Sequence, residues 1–162
     1  RMHCFHGNYG VLVRALCYIL TMGAEYLKKA TQYAVLNASY IKVNLKDHLH
    51  LAFDRPCMHE AVFSDKKQLD FKVTTLDIAK RLMDSGYHPP TIYFPLVVPG
   101  AIMIEPTETE SLEELDTFIQ VVKEITAEAE TTPELLRNAP QRFKVKRLDE
   151  TQAARNPCLC GR

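Results

Sequence analysis

Hydrophobic residues between Gly10 and Leu45 recur at helical spacing, and one glycine divides the run into two parts. The first part, Val11 to Leu20, is apolar on almost every side, a pattern that predicts a helix buried on most of its faces. After Gly23, the expected break, the apolar stripe is narrower and charged residues flank it. Because a nearly all-apolar helix needs a covering surface, the first part is interpreted as a contact with a partner outside this chain.

The middle of the chain alternates short extended runs with amphipathic helices. Two boxes of a hydroxyl residue followed three positions later by an acid, Thr74–Asp77 and Ser111–Glu114, predict helix starts. Gly86 stands where a helix C′ residue belongs, and Thr132-Pro133 is expected to cap and start a short helix. The extended runs are Glu60–Ser64, Thr91–Phe94 and Ala101–Glu105, with Pro99-Gly100 as a turn between the last two.

The resulting order of helix, helix, strand, helix, strand, strand, helix and tail predicts an α+β domain. Its small antiparallel or mixed sheet is expected to be covered on one face by helices. The predicted organisation is a pair of connecting helices over residues 1–45, the α+β domain over residues 46–139 and a basic arm over residues 140–162.

Composition narrows the functional classes. The 162 residues include 46% hydrophobic and 25% charged residues, as in globular proteins, and 20 basic residues balance 20 acidic ones. Without a net charge, neither a nucleic acid nor an anionic membrane is expected as a partner. No uninterrupted apolar run reaches the roughly 18 residues of a membrane span, since Arg14 interrupts the strongest one.

Cysteine usage and the first residues bear on location. Five cysteines, an odd number spread along the chain, fit free thiols in a reducing compartment better than a disulfide framework. No secretory leader follows Arg1, so a cytoplasmic or organellar matrix location is expected, not secretion. Because Arg1 precedes Met2, the sequence suggests a chain cut from something longer.

Simple catalytic and metal motifs are missing from the sequence. The pairs of histidine and cysteine lack the spacing of a structural zinc site, so no metal is expected. There is no G-x-S-x-G, and Gly7-Asn-Tyr-Gly10 lacks the lysine of a phosphate loop, which leaves Asn8 as a helix cap. The acids between Glu105 and Glu134 form a solvated face on which the basic arm packs, or else serve a site.

One long motif is specific. His88-Pro-Pro-Thr-Ile-Tyr-Phe-Pro95, followed by Ala101-Ile-Met-Ile-Glu-Pro-Thr-Glu-Thr-Glu-Ser111, resembles the C-terminal part of the P-protein of the glycine cleavage system, a pyridoxal-phosphate-dependent glycine decarboxylase. Colinear stretches agree, among them Cys57-Met-His-Glu60, and the C-terminal subunit of the split form of the enzyme is the nearest match.

The resemblance implies the small C-terminal domain of a fold-type-I enzyme that uses pyridoxal phosphate. The Schiff-base lysine of the family lies in an upstream His-Lys pair, and this chain contains no such pair. We therefore expect no catalytic residue in this chain, no cofactor bound to it alone and no activity in isolation. The implied partners are the large domain or N-terminal subunit and the lipoyl arm of the H-protein, which receives the aminomethyl group.

Two other interpretations concern partners and the site. The chain could instead be a non-catalytic docking module that binds through its apolar first helix, and the isolated chain is expected to self-associate through Val11, Leu16 and Ile19. The resemblance implies that the loops His88–Thr91 and Glu105–Thr109 approach the cofactor. His88, Glu105, Thr107 and Asn8 are therefore candidates for positions near the active site. Against this, Glu105 could only cap a neighbouring backbone, and Thr107 could only begin the next helix.

Overall fold

The structure, a computed structural model, describes residues 4–160, which form helices around one small sheet. The helices are α1 (Tyr9–Leu45), α2 (Thr75–Asp84), α3 (Leu112–Thr131), α4 (Pro133–Arg137) and α5 (Glu150–Arg155), and Leu69–Phe71 form a 3₁₀ turn. The strands are β1 (His50–Leu51), β2 (Ala61–Ser64), β3 (Thr91–Ile92) and β4 (Ala101–Ile104).

All neighbouring strands of the sheet are antiparallel, in the order β1-β2-β4-β3. In the central pair Ala61 lies opposite Ile104 and Phe63 opposite Ile102. Because alternate residues of a strand share a face, these four side chains point the same way, and all four belong to the core. The predicted α+β fold, with helices on one face of a small sheet, is confirmed.

The core is completed by one side of each of the packed helices. Ile41 and Leu45 come from the end of α1, and the other helices add an amphipathic stripe each. The residues from α2, α3 and α4 are Ile78, Leu82, Leu115, Ile119, Val122, Ile125, Ala129 and Leu136. The end of α1 therefore shares this core with the sheet. The domain boundary predicted at residue 45 stays a prediction.

Helix α1 has a break and a long exposed segment. Gly23 has φ 64° and ψ 174°, so the predicted break is confirmed, and a side chain there would be strained. Before the break, Val11, Leu16 and Ile19 are 59%, 54% and 50% exposed, which confirms the expected apolar face. This segment is not buried within residues 4–160, so the burial that its pattern indicates would need a surface outside this chain.

By length and composition alone, α1 could also cross a membrane. An 18-residue window in it reaches a mean hydropathy of 1.3 although Arg14 interrupts the apolar run. Helices that pack against other protein pass the same test.

Some of the predicted helix caps are present in the structure, and others are incomplete or missing. Thr74 and Asp77 form a complete capping box at α2, and Gly86 beyond α2 has a positive φ, as predicted. Ser111 Oγ accepts from the Glu114 amide, which is one half of the predicted box at α3. The side chain of Thr132 does not cap α4, because its hydroxyl donates back to the Glu128 carbonyl of α3.

The basic arm packs on α2, which corrects the prediction that it lies on the acidic face that follows Glu105. The buried Asp84 carboxylate accepts 2.8 Å hydrogen bonds from the amides of Gln141 and Arg142. Arg147 pairs with Asp77 at 2.7 Å and donates to the carbonyl of Ala139. The arm also contains the short helix α5, although its sequence shows no clear periodicity.

Candidate functional site

A groove of about 530 Å³ opens between the loop before β3, the end of β4 and the start of α3. Its floor is apolar, with Met103, Leu115 and Phe118, and its rim carries most of the ionisable groups. The remaining lining residues are Ile41, Tyr87, His88, Pro89, Pro90, Thr91, Ile104, Glu105, Pro106, Glu110 and Glu114. The structure therefore brings two predicted site residues, His88 and Glu105, to one groove.

The position of His88 follows from the end of α2. Gly86 turns the chain with φ 89°, and Tyr87 then anchors the loop by an edge-on contact with Phe118, 5.2 Å between ring centroids. Pro89 restricts the residue before it to extended conformations, so the His88 side chain stands exposed on a stiff loop.

Glu105 lies where β4 leaves the sheet. The strand is buried along its length, Glu105 is exposed, and Pro106 is buried again and turns the chain toward α3. Its carboxylate lies near the side chains of His59 and Glu60, at the start of β2. His59 and Glu60 belong to the stretch Cys57–Glu60 of the resemblance but were not predicted as site residues, because only the strand pairing brings them to Glu105.

Thr107 and Asn8 do not line the groove. The Thr107 carbonyl accepts from Asn37 of α1 at 2.9 Å, and its hydroxyl bonds with that of Thr109 at 2.7 Å. Thr107 therefore fixes the turn that places Pro106. Asn8 is the N-cap residue of α1, but its side chain makes no capping hydrogen bond, and the structure does not bring it to the groove.

The groove has an acidic rim. Burial and then the Glu114 carboxylate, with Glu110 behind it, raise the pKa of Tyr87, so this phenol stays protonated and can donate a hydrogen bond. The lining contains three carboxylates and no lysine or arginine. Such a surface favours a cationic or neutral ligand and disfavours a phosphate group, which needs positive charge or a cluster of backbone amides.

Comparison with known proteins identifies the family. The family model described as "Glycine dehydrogenase, C-terminal domain" matches residues 30–142, which include the whole sheet and the groove. This chain belongs to that family. The resemblance read from the motif His88–Ser111 is thereby confirmed.

Three bacterial relatives carry the name probable glycine dehydrogenase (decarboxylating) subunit 2. They come from Caldanaerobacter subterraneus, Listeria innocua and Oceanobacillus iheyensis and are 53%, 55% and 54% identical over 159 residues. Each alignment covers 98% of this chain and 33% of the relative, so the chain spans about one third of the length of the curated relatives it matches. The name subunit 2 implies a partner subunit in those proteins.

Proposed function

We propose that this chain forms the C-terminal domain of a glycine dehydrogenase (decarboxylating). The observation that carries the proposal is the identity of 53–55% across 98% of the chain with proteins of that name. The complete enzyme would remove the carboxylate of glycine as carbon dioxide and pass the aminomethyl group to the lipoyl arm of the H-protein.

The residues of this groove do not fit the cofactor of the family. Pyridoxal phosphate carries a phosphate and needs a lysine amine, and the groove lining offers neither a lysine nor an arginine. The cofactor anchor is therefore assigned to the part of the parent protein outside this chain.

The role left to this chain is to form one wall of the active site. His88 and Glu105 stand on the groove rim, and Thr107 holds the turn beside it through its carbonyl. A rim of this kind can orient a cationic amine and donate a hydrogen bond from the Tyr87 hydroxyl. The apolar floor excludes water.

The exposed half of α1 supplies the contact with the rest of the parent protein. Its apolar face has no cover within residues 4–160, and a large domain or N-terminal subunit would bury it. A docking module without catalysis is the second candidate, which the same face supports. A cytoplasmic or organellar matrix location remains part of the proposal, supported by the five free thiols.

The test uses the full-length parent enzyme with Glu105→Gln and His88→Gln, at the two predicted site residues that line the groove. Both variants are expected to fold, and turnover on glycine is expected to fall about tenfold or more, roughly 1.4 kcal/mol of transition-state stabilisation. Glu113→Gln on the exposed face of α3 is the matched control. Unchanged turnover in both variants would contradict the site, while the family membership would stand.

A further inference from the structure

Three possible metal ligands converge at one edge of the sheet. Ligand atoms of His59, Glu60 and Glu105 all lie within 4.8 Å of one another. The cause is the strand register: Ala61 begins β2, Ile104 ends β4, and the two are paired. Residues 60 and 105 therefore leave the sheet side by side, and His59 precedes Glu60. The hydrogen-bonded pair Ala61–Ile104 therefore fixes the backbone next to Glu60 and Glu105, whereas His59 belongs to the connection between β1 and β2.

The two carboxylates at this edge lack a basic partner. Like charges on directly opposed strand positions repel and destabilise the pair. Among residues 4–160, no ion pair within 4.0 Å involves Glu60 or Glu105. The nearby Lys42 is engaged with the Arg55 carbonyl at 2.7 Å and with Asp54 at 3.8 Å. Neither carboxylate is therefore neutralised by a basic side chain within 4.0 Å, which favours a cation at this edge.

We propose that His59, Glu60 and Glu105 bind a divalent cation. One imidazole nitrogen and two carboxylate oxygens suit Mn²⁺ or Zn²⁺ and leave coordination positions for water. Two ligand atoms on one ion are at most about 4.4 Å apart, twice a bond of about 2.2 Å. The 4.8 Å within which the three ligand atoms lie is slightly more than that limit, so binding would require side-chain rotation, and two of the three side chains are exposed.

The site is of a kind that spacing along the chain does not reveal. His59 and Glu60 are adjacent, Glu105 follows after three strands (β2, β3 and β4), and no zinc-type motif joins them. The proposal shares Glu105 with the proposed site, and the two tests are distinguishable because one measures binding of the ion and the other measures turnover.

Manganese binding to the 162-residue chain tests the proposal. Mn²⁺ is the probe because it prefers oxygen and nitrogen ligands, so that the free cysteines compete little. Free Mn²⁺ is measured by electron paramagnetic resonance during a titration. We expect one equivalent to bind, and we expect His59→Ala and Glu105→Gln each to weaken binding by about tenfold or more.

The control for general acidity is Glu113→Gln, which removes an exposed carboxylate elsewhere. If it weakens binding as much as Glu105→Gln does, or if the triple variant at 59, 60 and 105 binds as tightly as the wild type, the proposal is wrong.

Thermal unfolding gives a second readout. In EDTA, Glu105→Gln should be at least as stable as the wild type because the repulsion is removed. In Mn²⁺, the wild type should be the more stable protein, and an unchanged order would contradict the site.

Discussion

Gly100 is a residue that no other amino acid can replace without strain. Its φ is 64°, and a Cβ atom there would lie 2.0 Å from Asp65 Oδ1. Asp65 is buried and accepts from the Thr75 amide, and the Thr75 hydroxyl donates to the Gly100 carbonyl at 2.7 Å. Asp65 therefore connects the turn before β4 to the start of α2.

Gly100→Ala should lower the free energy of unfolding by about 3 kcal/mol, from backbone strain and displacement of the Asp65 hydrogen bonds. Denaturation by urea measures this change in the free energy of unfolding. Gly86→Ala is the matched control, because Gly86 also has positive φ but no atom within 4 Å of the added Cβ. Its cost should be about 1 kcal/mol. Equal losses in the two variants would show that the contact with Asp65 does not matter.

Tyr40 links α1 to α3 and makes the link sensitive to alkaline pH. Its hydrogen bond to Asp116, 2.6 Å long, and then its burial raise the pKa of Tyr40 above the ordinary 10.0. Because the folded pKa is higher than the unfolded one, the stabilisation is complete below about pH 10 and is lost as pH rises through the folded pKa. Asp116→Asn should lower the pKa of Tyr40, and an ultraviolet titration of the phenol measures this change. The exposed Tyr33→Phe should leave that titration step in place.

At the residue scale, the sequence was informative where the chemistry is local. The Thr74–Asp77 box and the Gly86 stop involve neighbours in the chain and were predicted. The cluster of His59, Glu60 and Glu105 was missed because its members come together only through strand pairing. Thr107 was predicted as a site residue, yet it lies outside the groove and its carbonyl contacts α1.

At the scale of elements, Asp84 holds the C-terminal arm. Its carboxylate is fully buried and accepts from two amides of the arm, with Arg81 3.8 Å away. Asp84→Asn should lower the free energy of unfolding by about 2 kcal/mol, because a charged acceptor is lost and an amide donor faces the arm. Hydrogen exchange at the amides of Gln141 and Arg142 should accelerate.

The control is Asp70→Asn, at an exposed position in the 3₁₀ turn. If the amides of residues 141 and 142 exchange equally fast in both variants, Asp84 does not hold the arm.

Periodicity predicted the long elements and not the short ones. The stripes of α2 and α3 follow the helical repeat, so both helices were found from the sequence. The two-residue strand β1 has no period to detect, and Tyr93, with φ 59°, ends β3 earlier than the apolar run suggests. The contact of the arm with α2 depends on two buried acids, Asp77 and Asp84, which the overall charge pattern does not distinguish.

At the scale of the whole molecule, we expect the exposed half of α1 to determine how the chain associates. The isolated chain should self-associate, because its apolar face is otherwise left in water. Leu16→Glu with Ile19→Glu should give a monomer in sedimentation equilibrium. Lys28→Glu, on the exposed side beyond Gly23, should not change the association. A wild-type chain that stays monomeric over the same concentration range would contradict this role for α1.

The fold class and the family were both accessible from the sequence, since the motif of residues 88–111 is long and its order is specific. The groove was accessible only in part. His88 and Glu105 were proposed from the resemblance. The acidic rim at Glu110 and Glu114 forms because the residues at the start of α3 lie beside the end of β4.

The central claim is that this chain completes a glycine decarboxylase without anchoring its cofactor. The direct measurement is release of labelled carbon dioxide from carboxyl-labelled glycine, with pyridoxal phosphate and lipoyl H-protein present. The 162-residue chain alone should release none, and the full-length parent assembly that contains it should release label in proportion to enzyme. Release by the chain alone, or none by the complete assembly, would contradict the account.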